Sequence, residues 1–271
     1  MSGSGKSTLL EELKRDFIDL NRDQKFFILS FEFEMLIEDQ LTKGLSAKLD
    51  KSIKELYSAE SPIDENTFLK ARELLGRMKD DPVYYVDNAG TVEQIVSTIR
   101  GFTKEHLDKD TGLVVTIDHV LLTKGKQTDD EKAIVDELMR AFVDLKKQFA
   151  AEGLKVIFIV LTQMNREIEK SERVQNYNLH FPTRNDIFAS SAVFTCSDYV
   201  IITHRPATLS GIGRRYGPQL EGFPNGLPVK WPQDETKSMV YWHLIKERFG
   251  ETKIIPLVED FKFGKLTEVT L

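Results

Sequence analysis

Apolar residues along this chain fall into two patterns, stripes at helical spacing and short unbroken runs. Leu9, Leu10, Leu13, Phe17 and Leu20 form the first stripe and predict a helix directly after residue 8. Residues 26–33 predict a strand. Residues 35–78 predict helix, broken around 58–66 by a polar stretch containing Pro62. A second strand is predicted at 83–86, and a helix from Thr91 carries Ile95, Ile99 and Phe102 on one face. Residues 113–117 are apolar or β-branched throughout, which predicts a strand buried on both faces.

The next helix announces both its ends. Asp129, Asp130 and Glu131 stand where the helix dipole favours negative charge, Lys146 and Lys147 lie near its far end, and Gly153 stops it. Ile134, Leu138, Phe142, Leu145 and Phe149 are its core stripe. Further strands are predicted at 156–161 and 199–203. Strand and helix in alternation predict an α/β fold, a mainly parallel sheet flanked by helices. Residues 206–236 then read as one long loop, since 206–232 holds five of the nine prolines and five of the sixteen glycines. Beyond it, 239–245 and 253–258 predict an antiparallel hairpin turning around Gly250. No repeat divides the chain, so residues 1–271 read as a single domain.

Composition narrows the function classes. Apolar residues make up 41% and charged residues 30%, the balance of a protein with a real core. The lone cysteine, Cys196, excludes an internal disulfide framework and a multi-thiolate zinc site. A net charge of −6 provides no global field that would draw the chain onto nucleic acid. With neither a spanning run nor a secretion signal, the reading is a soluble cytoplasmic enzyme without membrane contact, in the host's cytoplasm if phage-encoded.

The chemistry begins at the N-terminus. Gly3, Ser4, Gly5, Lys6, Ser7 and Thr8 match the end of a phosphate-binding loop where it enters a helix. Glycines let backbone N–H groups curl around phosphate oxygens, and the helix N-terminus adds partial positive charge. Lys6 reaches the β- and γ-phosphates in such a loop, and the Ser7 hydroxyl coordinates Mg²⁺. The full pattern has a further glycine, separated from Gly5 by four residues, and that position falls before Met1. The strand leading into the loop is likewise missing, which is expected to leave a gap in the sheet. Asp118 ends the apolar run 114–117 and is the matching carboxylate for the metal.

The order of motifs resembles the C-terminal motor domain of DnaB-type replicative DNA helicases, a RecA-like P-loop NTPase fold, over nearly the whole chain. Phe33-Glu34-Met35 resembles the family's Leu-Glu-Met, and residues 81–87 are similar to its Pro-Leu-Tyr-Ile-Asp-Asp run. Ile117-Asp118-His119 stands for Ile-Asp-Tyr, and residues 161–166 resemble Ser-Gln-Leu-Asn-Arg. Residues 186–198 resemble Asp-Leu-Arg-Glu-Ser-Gly … Asp-Ala-Asp with the internal Arg and Glu lost. Lys246-Glu247-Arg248-Phe249-Gly250 is similar to Lys-Gln-Arg-Asn-Gly.

The resemblance implies roles. Glu34 polarises the attacking water, although alternation along the strand points Glu32 the same way and residue physics alone leaves both open. Gln163 senses the γ-phosphate, and Lys246 with Arg248, on one side of a strand, reaches the neighbouring subunit's ATP as a finger. DNA-gripping loops correspond to about 121–128, with Lys124 and Lys126, and to about 164–183, with Arg166, Lys170 and Arg173; Arg184 is a further candidate. In the second loop Glu167, Glu169 and Glu172 cancel the cations. The implied activity is ATP-dependent translocation on single-stranded DNA, 5′ to 3′, by a ring hexamer with ATP hydrolysed between subunits. ATP and Mg²⁺ are the cofactors, and primase or a helicase loader are further partners. The alternatives are a RecA/RadA-type recombination ATPase and an inactive fragment serving as a binding module.

Overall fold

The computed structural model describes residues 4–123, 130–260 and 262–271. The chain divides into two compact units, Leu10–Thr162 with Lys262–Gly264, and Met1–Leu9 with Gln163–Phe261 and Lys265–Leu271.

The first unit contains a four-stranded, wholly parallel sheet. Its strands are β1 (Phe26–Glu32), β2 (Val83–Val86), β3 (Gly112–Asp118) and β4 (Lys155–Val160), in the order β2-β1-β3-β4. The two central strands, β1 and β3, are buried along most of their length, and Ile28, Phe31, Val115 and Ile117 are almost fully buried. Helix α1 (Lys6–Leu20) precedes β1, while α2 (Ile37–Leu49), α3 (Ile53–Leu56) and α4 (Glu65–Lys79) separate β1 from β2. Helix α5 (Val92–His106) starts at a capping box in which Thr91 and Gln94 bond each other's backbone N–H. Helix α6 (Glu131–Ala151) is capped by Asp130 and buries the predicted stripe, with Phe142 stacked on Phe158 of β4 at 4.7 Å. Cutting Leu138, fully buried, back to alanine would cost about 2–5 kcal/mol.

In the second unit the strands run antiparallel, in the order β11-β10-β9-β5, with β8 also on β9. Short helices α7 (Ser171–Gln175) and α8 (Ser190–Cys196) precede β5 (Tyr199–His204). Then follow β6 (Arg215–Tyr216), β7 (Leu227–Pro228), β8 (Lys230–Trp231), β9 (Asp234–Glu247), β10 (Lys253–Asp260) and β11 (Lys265–Glu268). The β9–β10 pair is the predicted hairpin. β5 differs from the parallel alternation read along the chain: its described partner is the antiparallel β9, because the following chain returns along it as a hairpin arm. β4 and β5 are each an edge of their own sheet.

The long loop is anchored rather than free along its length. Tyr216, Leu227 and Val229 come from it and complete a core with Met239, Tyr241 and Val258. The β6–β7 pair turns at Gly226, whose φ is +75° and whose added Cβ would lie 2.8 Å from the Tyr216 carbonyl oxygen. Only glycine fits there. Among the described residues no helix is long and apolar enough to cross a membrane.

Candidate nucleotide and nucleic-acid site

The phosphate loop enters α1 through Gly5, whose φ of +89° admits glycine and strains any other residue. Leu9 N–H donates to the Gly5 carbonyl at 2.8 Å, closing the first helical turn. Ser4 is buried, while Lys6, Ser7 and Thr8 are partly exposed in that first turn, where backbone N–H groups have no helical partner. Gly3 lies outside the described residues.

Glu34 and Asp118 stand at the carboxyl ends of adjoining strands. β1 and β3 pair in register to Glu32 and Asp118, and Phe33 N–H then donates to the Asp118 carbonyl at 2.7 Å. Asp118 is buried at 3% exposure and Glu34 is exposed. The structure also separates the two glutamates that alternation left equivalent. Glu32 is 2% exposed and occupied: Lys14 Nζ lies 2.8 Å from its Oε1, and Gln40 and Ser30 also donate to it. Lys14 bonds Glu11 as well and sits 5.5 Å above the Tyr85 ring. Burial acts to strip the Lys14 ammonium of its proton, but Glu11, Glu32 and Tyr85 outweigh it and raise its pKa. Burial raises Glu11 against the pull of Lys14. Glu32 is therefore a structural carboxylate.

In the other unit, Gln163 follows β4 with its side chain exposed, and its carbonyl accepts from Phe188 N–H at 3.0 Å. Lys246 reaches the end of α8, and Arg248 the segment that joins α8 to β5. The Lys246 ammonium donates to the Phe194 and Thr195 carbonyls, the negative end of α8, and lies 5.0 Å from the Phe194 ring. Arg248 Nε is 3.0 Å from Asp198 Oδ1, and its backbone N–H donates to the Asp198 carbonyl at 3.0 Å. Its side chain remains 47% exposed.

Residues 1–268 match the family described as the DnaB-like helicase C terminal domain. The chain belongs to that family. Two solved structures share the fold. One is of an ATPase domain and has a TM-score of 0.75 at 16% identity, covering 100% of this chain and 82% of that one. The other, "The Structure Of A DnaB-Like Replicative Helicase And Its Interactions With Primase", has a TM-score of 0.73 at 16% identity. It covers 100% of this chain, which spans 57% of the solved one. No protein of curated function matches the sequence. Family and fold together make this chain a DnaB-like helicase C-terminal domain with a RecA-like fold.

The nucleic-acid candidates of this DnaB-like domain have different placements. Lys124 and Lys126 lie outside the described residues. Arg166 is exposed, and Lys170 is paired with Glu167 at 2.6 Å on the surface. Arg173 is turned inward: its guanidinium takes both oxygens of Asp186, 1% exposed, and donates to the Leu179 and Phe181 carbonyls. Burial raises the Asp186 pKa, but hydrogen bonds from Arg173 and Thr183 prevail and hold it below the usual carboxylate range. Arg184 stacks 4.5 Å from the Phe194 ring that Lys246 also contacts.

Sequence reasoning passed over a buried cluster of three histidines and two tyrosines in the same unit. His180 and His204 face each other with Nε2 atoms 3.0 Å apart, and the Tyr216 hydroxyl is 3.0 Å from His243 Nε2. Tyr241 donates to the Pro228 carbonyl at 2.6 Å. Burial holds His180 near pKa 4 and His243 near 3, with His204 also far below its ordinary value. All three are neutral packing elements at pH 7.

Proposed function

We propose that this domain hydrolyses ATP at the junction of neighbouring subunits in a ring hexamer and uses the cycle to draw single-stranded DNA through the ring. The observation that carries the reading is the pair of carboxylates at adjoining strand ends, Asp118 buried and Glu34 exposed, in a chain that opens on a phosphate loop.

Loop amides and Lys6 bind the phosphates. Ser7 and Asp118 are the hard oxygen donors that suit Mg²⁺, which takes one or two protein oxygens and completes its shell with phosphates and water. Two protein oxygens leave the rest of the ion's shell to the nucleotide's phosphates and water, so Ser7 and Asp118 would hold it together with ATP. When bound it neutralises charge on the β- and γ-phosphates. Glu34 accepts the proton of the attacking water, Gln163 contacts the γ-phosphate, and the neighbour's Lys246 and Arg248 offset charge as the bond breaks. Arg166, Lys170 and Arg184 are the DNA-contact candidates on the described residues, with Arg173 bracing the segment that carries them. A primase partner, named for one of the solved relatives, belongs to the same proposal.

ATP turnover with and without single-stranded DNA tests this reading. Lys6→Ala loses turnover and nucleotide binding, whereas Glu34→Gln loses turnover by at least a hundredfold and keeps binding. Undiminished turnover in Glu34→Gln overturns the assignment.

A further inference from the structure

Two large apolar side chains stand in water directly beside the two halves of the proposed shared site. Phe249 follows Arg248 in the connection between β9 and β10, and it is 84% exposed, more than any other described large apolar residue. Leu36 lies two residues after Glu34 and is 68% exposed.

Neither residue suits its local position. Leu36 is the N-cap of α2 and makes no side-chain capping bond, at a place where Ser, Thr, Asp or Asn would satisfy a free N–H. Phe249 occupies a connection that favours Asn, Asp or Gly, and the family segment it resembles has Asn there. Two violations of local preference, each next to a residue assigned to the chemistry, call for a reason outside the single chain.

We propose that Phe249 of one copy packs on Leu36 of the next, forming an apolar lock on each shared nucleotide site. This rests on the reading that Arg248 acts across the interface. Consecutive Cα atoms are about 3.8 Å apart, so an Arg248 that reaches the phosphate attacked under Glu34 brings Phe249 into the neighbourhood of Leu36, two residues beyond Glu34. An aromatic anchor entering an apolar contact beside a buried polar centre is the usual make-up of an interface hot spot. The lock would hold the finger in register while Arg248 exchanges between Asp198 and the phosphate.

The test uses the whole chain with Cys196 replaced by serine, ATP and an oligo-dT strand. Leu36→Cys/Phe249→Cys, treated with a short bismaleimide, is expected to give a ladder of covalent multimers, and either single cysteine variant none. Phe249→Asn is expected to raise the protein concentration for half-maximal turnover by roughly tenfold to a hundredfold, with turnover at saturating protein within about twofold of the parent. In parallel, Arg248→Ala and Lys6→Ala subunits are mixed to ask whether turnover returns. A restored mixture without a cross-linked ladder, or with cross-links confined to single chains, overturns the lock and leaves the finger reading standing. A ladder without restoration supports the lock and removes the finger. Loss of both overturns both.

Discussion

The Lys14 ammonium sits 2.8 Å from Glu32 Oε1, inside the first unit, with both side chains at most 4% exposed. Glu11 and Gln40 close around the pair, so helix α1, which begins at the phosphate loop, is tied to the strand that ends beside Glu34. Removing the cation leaves the buried Glu32 and the partly buried Glu11 without their counter-charge, a change worth about 3–5 kcal/mol. Lys14→Met is therefore expected to melt on the order of 10 °C below wild type by calorimetry. Glu34→Gln, at an exposed position, is expected to melt with wild type. Equal melting of Lys14→Met and wild type would remove the structural role given to Glu32.

Much of this arrangement was legible beforehand, and the failures have physical causes. The run 113–117 and the 131–151 stripe identify β3 and α6 because burial on two faces or one leaves a regular period. β6, β7 and β8 are two residues each, too short to carry a period, so proline and glycine content made 206–236 look like plain loop. In the sequence Arg173 reads with Arg166 and Lys170 as a DNA-contact candidate among glutamates, because its partner Asp186 lies thirteen residues away. Lys14 did leave a signal: it falls between Leu10 and Phe17 on the apolar stripe of α1, where a lysine must find a buried acid.

The Arg173–Asp186 pair separates bracing from DNA contact. With Asp186 1% exposed, Arg173→Ala is expected to destabilise by about 3–5 kcal/mol, seen as a lower urea midpoint. Arg166 is exposed, so Arg166→Ala is expected to leave the midpoint unchanged and to reduce the salt dependence of oligo-dT binding by about 0.7 in log–log slope. An unchanged salt slope in Arg166→Ala would take that residue out of the DNA path. A wild-type midpoint in Arg173→Ala would show that the inward pair holds nothing.

The histidine cluster predicts an acid limit to stability. Burial keeps His180 near pKa 4 and His243 near 3, with His204 also far below its ordinary value, whereas the unfolded chain protonates all three near 6.5. Below pH 6.5 the unfolded state thus binds more protons, so this contribution is complete above about 6.5 and is lost as pH falls toward 4 and then 3. The charged groups facing the cluster are Arg173, which disfavours protonation of His180 and His204, and Asp186, which partly offsets this at His180. Each histidine adds a slope of up to about 1.4 kcal/mol per pH unit. Urea midpoints are expected to be flat from pH 8 to 7 and to fall below 6. His243→Gln, which retains a group able to bond the Tyr216 hydroxyl, is expected to make that fall shallower by about one histidine's share. An unaltered acid limb would place the proton uptake elsewhere.

Arg248 offers the sharpest division between stability and chemistry. Its ion pair with Asp198 is half in water, and such pairs contribute about 0–1 kcal/mol, so Arg248→Ala is expected to melt within a few degrees of wild type. If its guanidinium serves a neighbour's phosphate, the same change lowers kcat by roughly a thousandfold or more and leaves equilibrium binding of a fluorescent ATP analogue intact. Arg248→Lys keeps the charge but lacks the planar fork that grips two oxygens at once, and it is expected to recover little of the loss. Asp198→Asn weakens the resting contact without removing the finger, so kcat is expected to change by far less than in Arg248→Ala. Loss of ATP-analogue binding in Arg248→Ala would put the arginine in its own subunit's nucleotide pocket, and full activity in Arg248→Lys would reduce its part to that of a point charge.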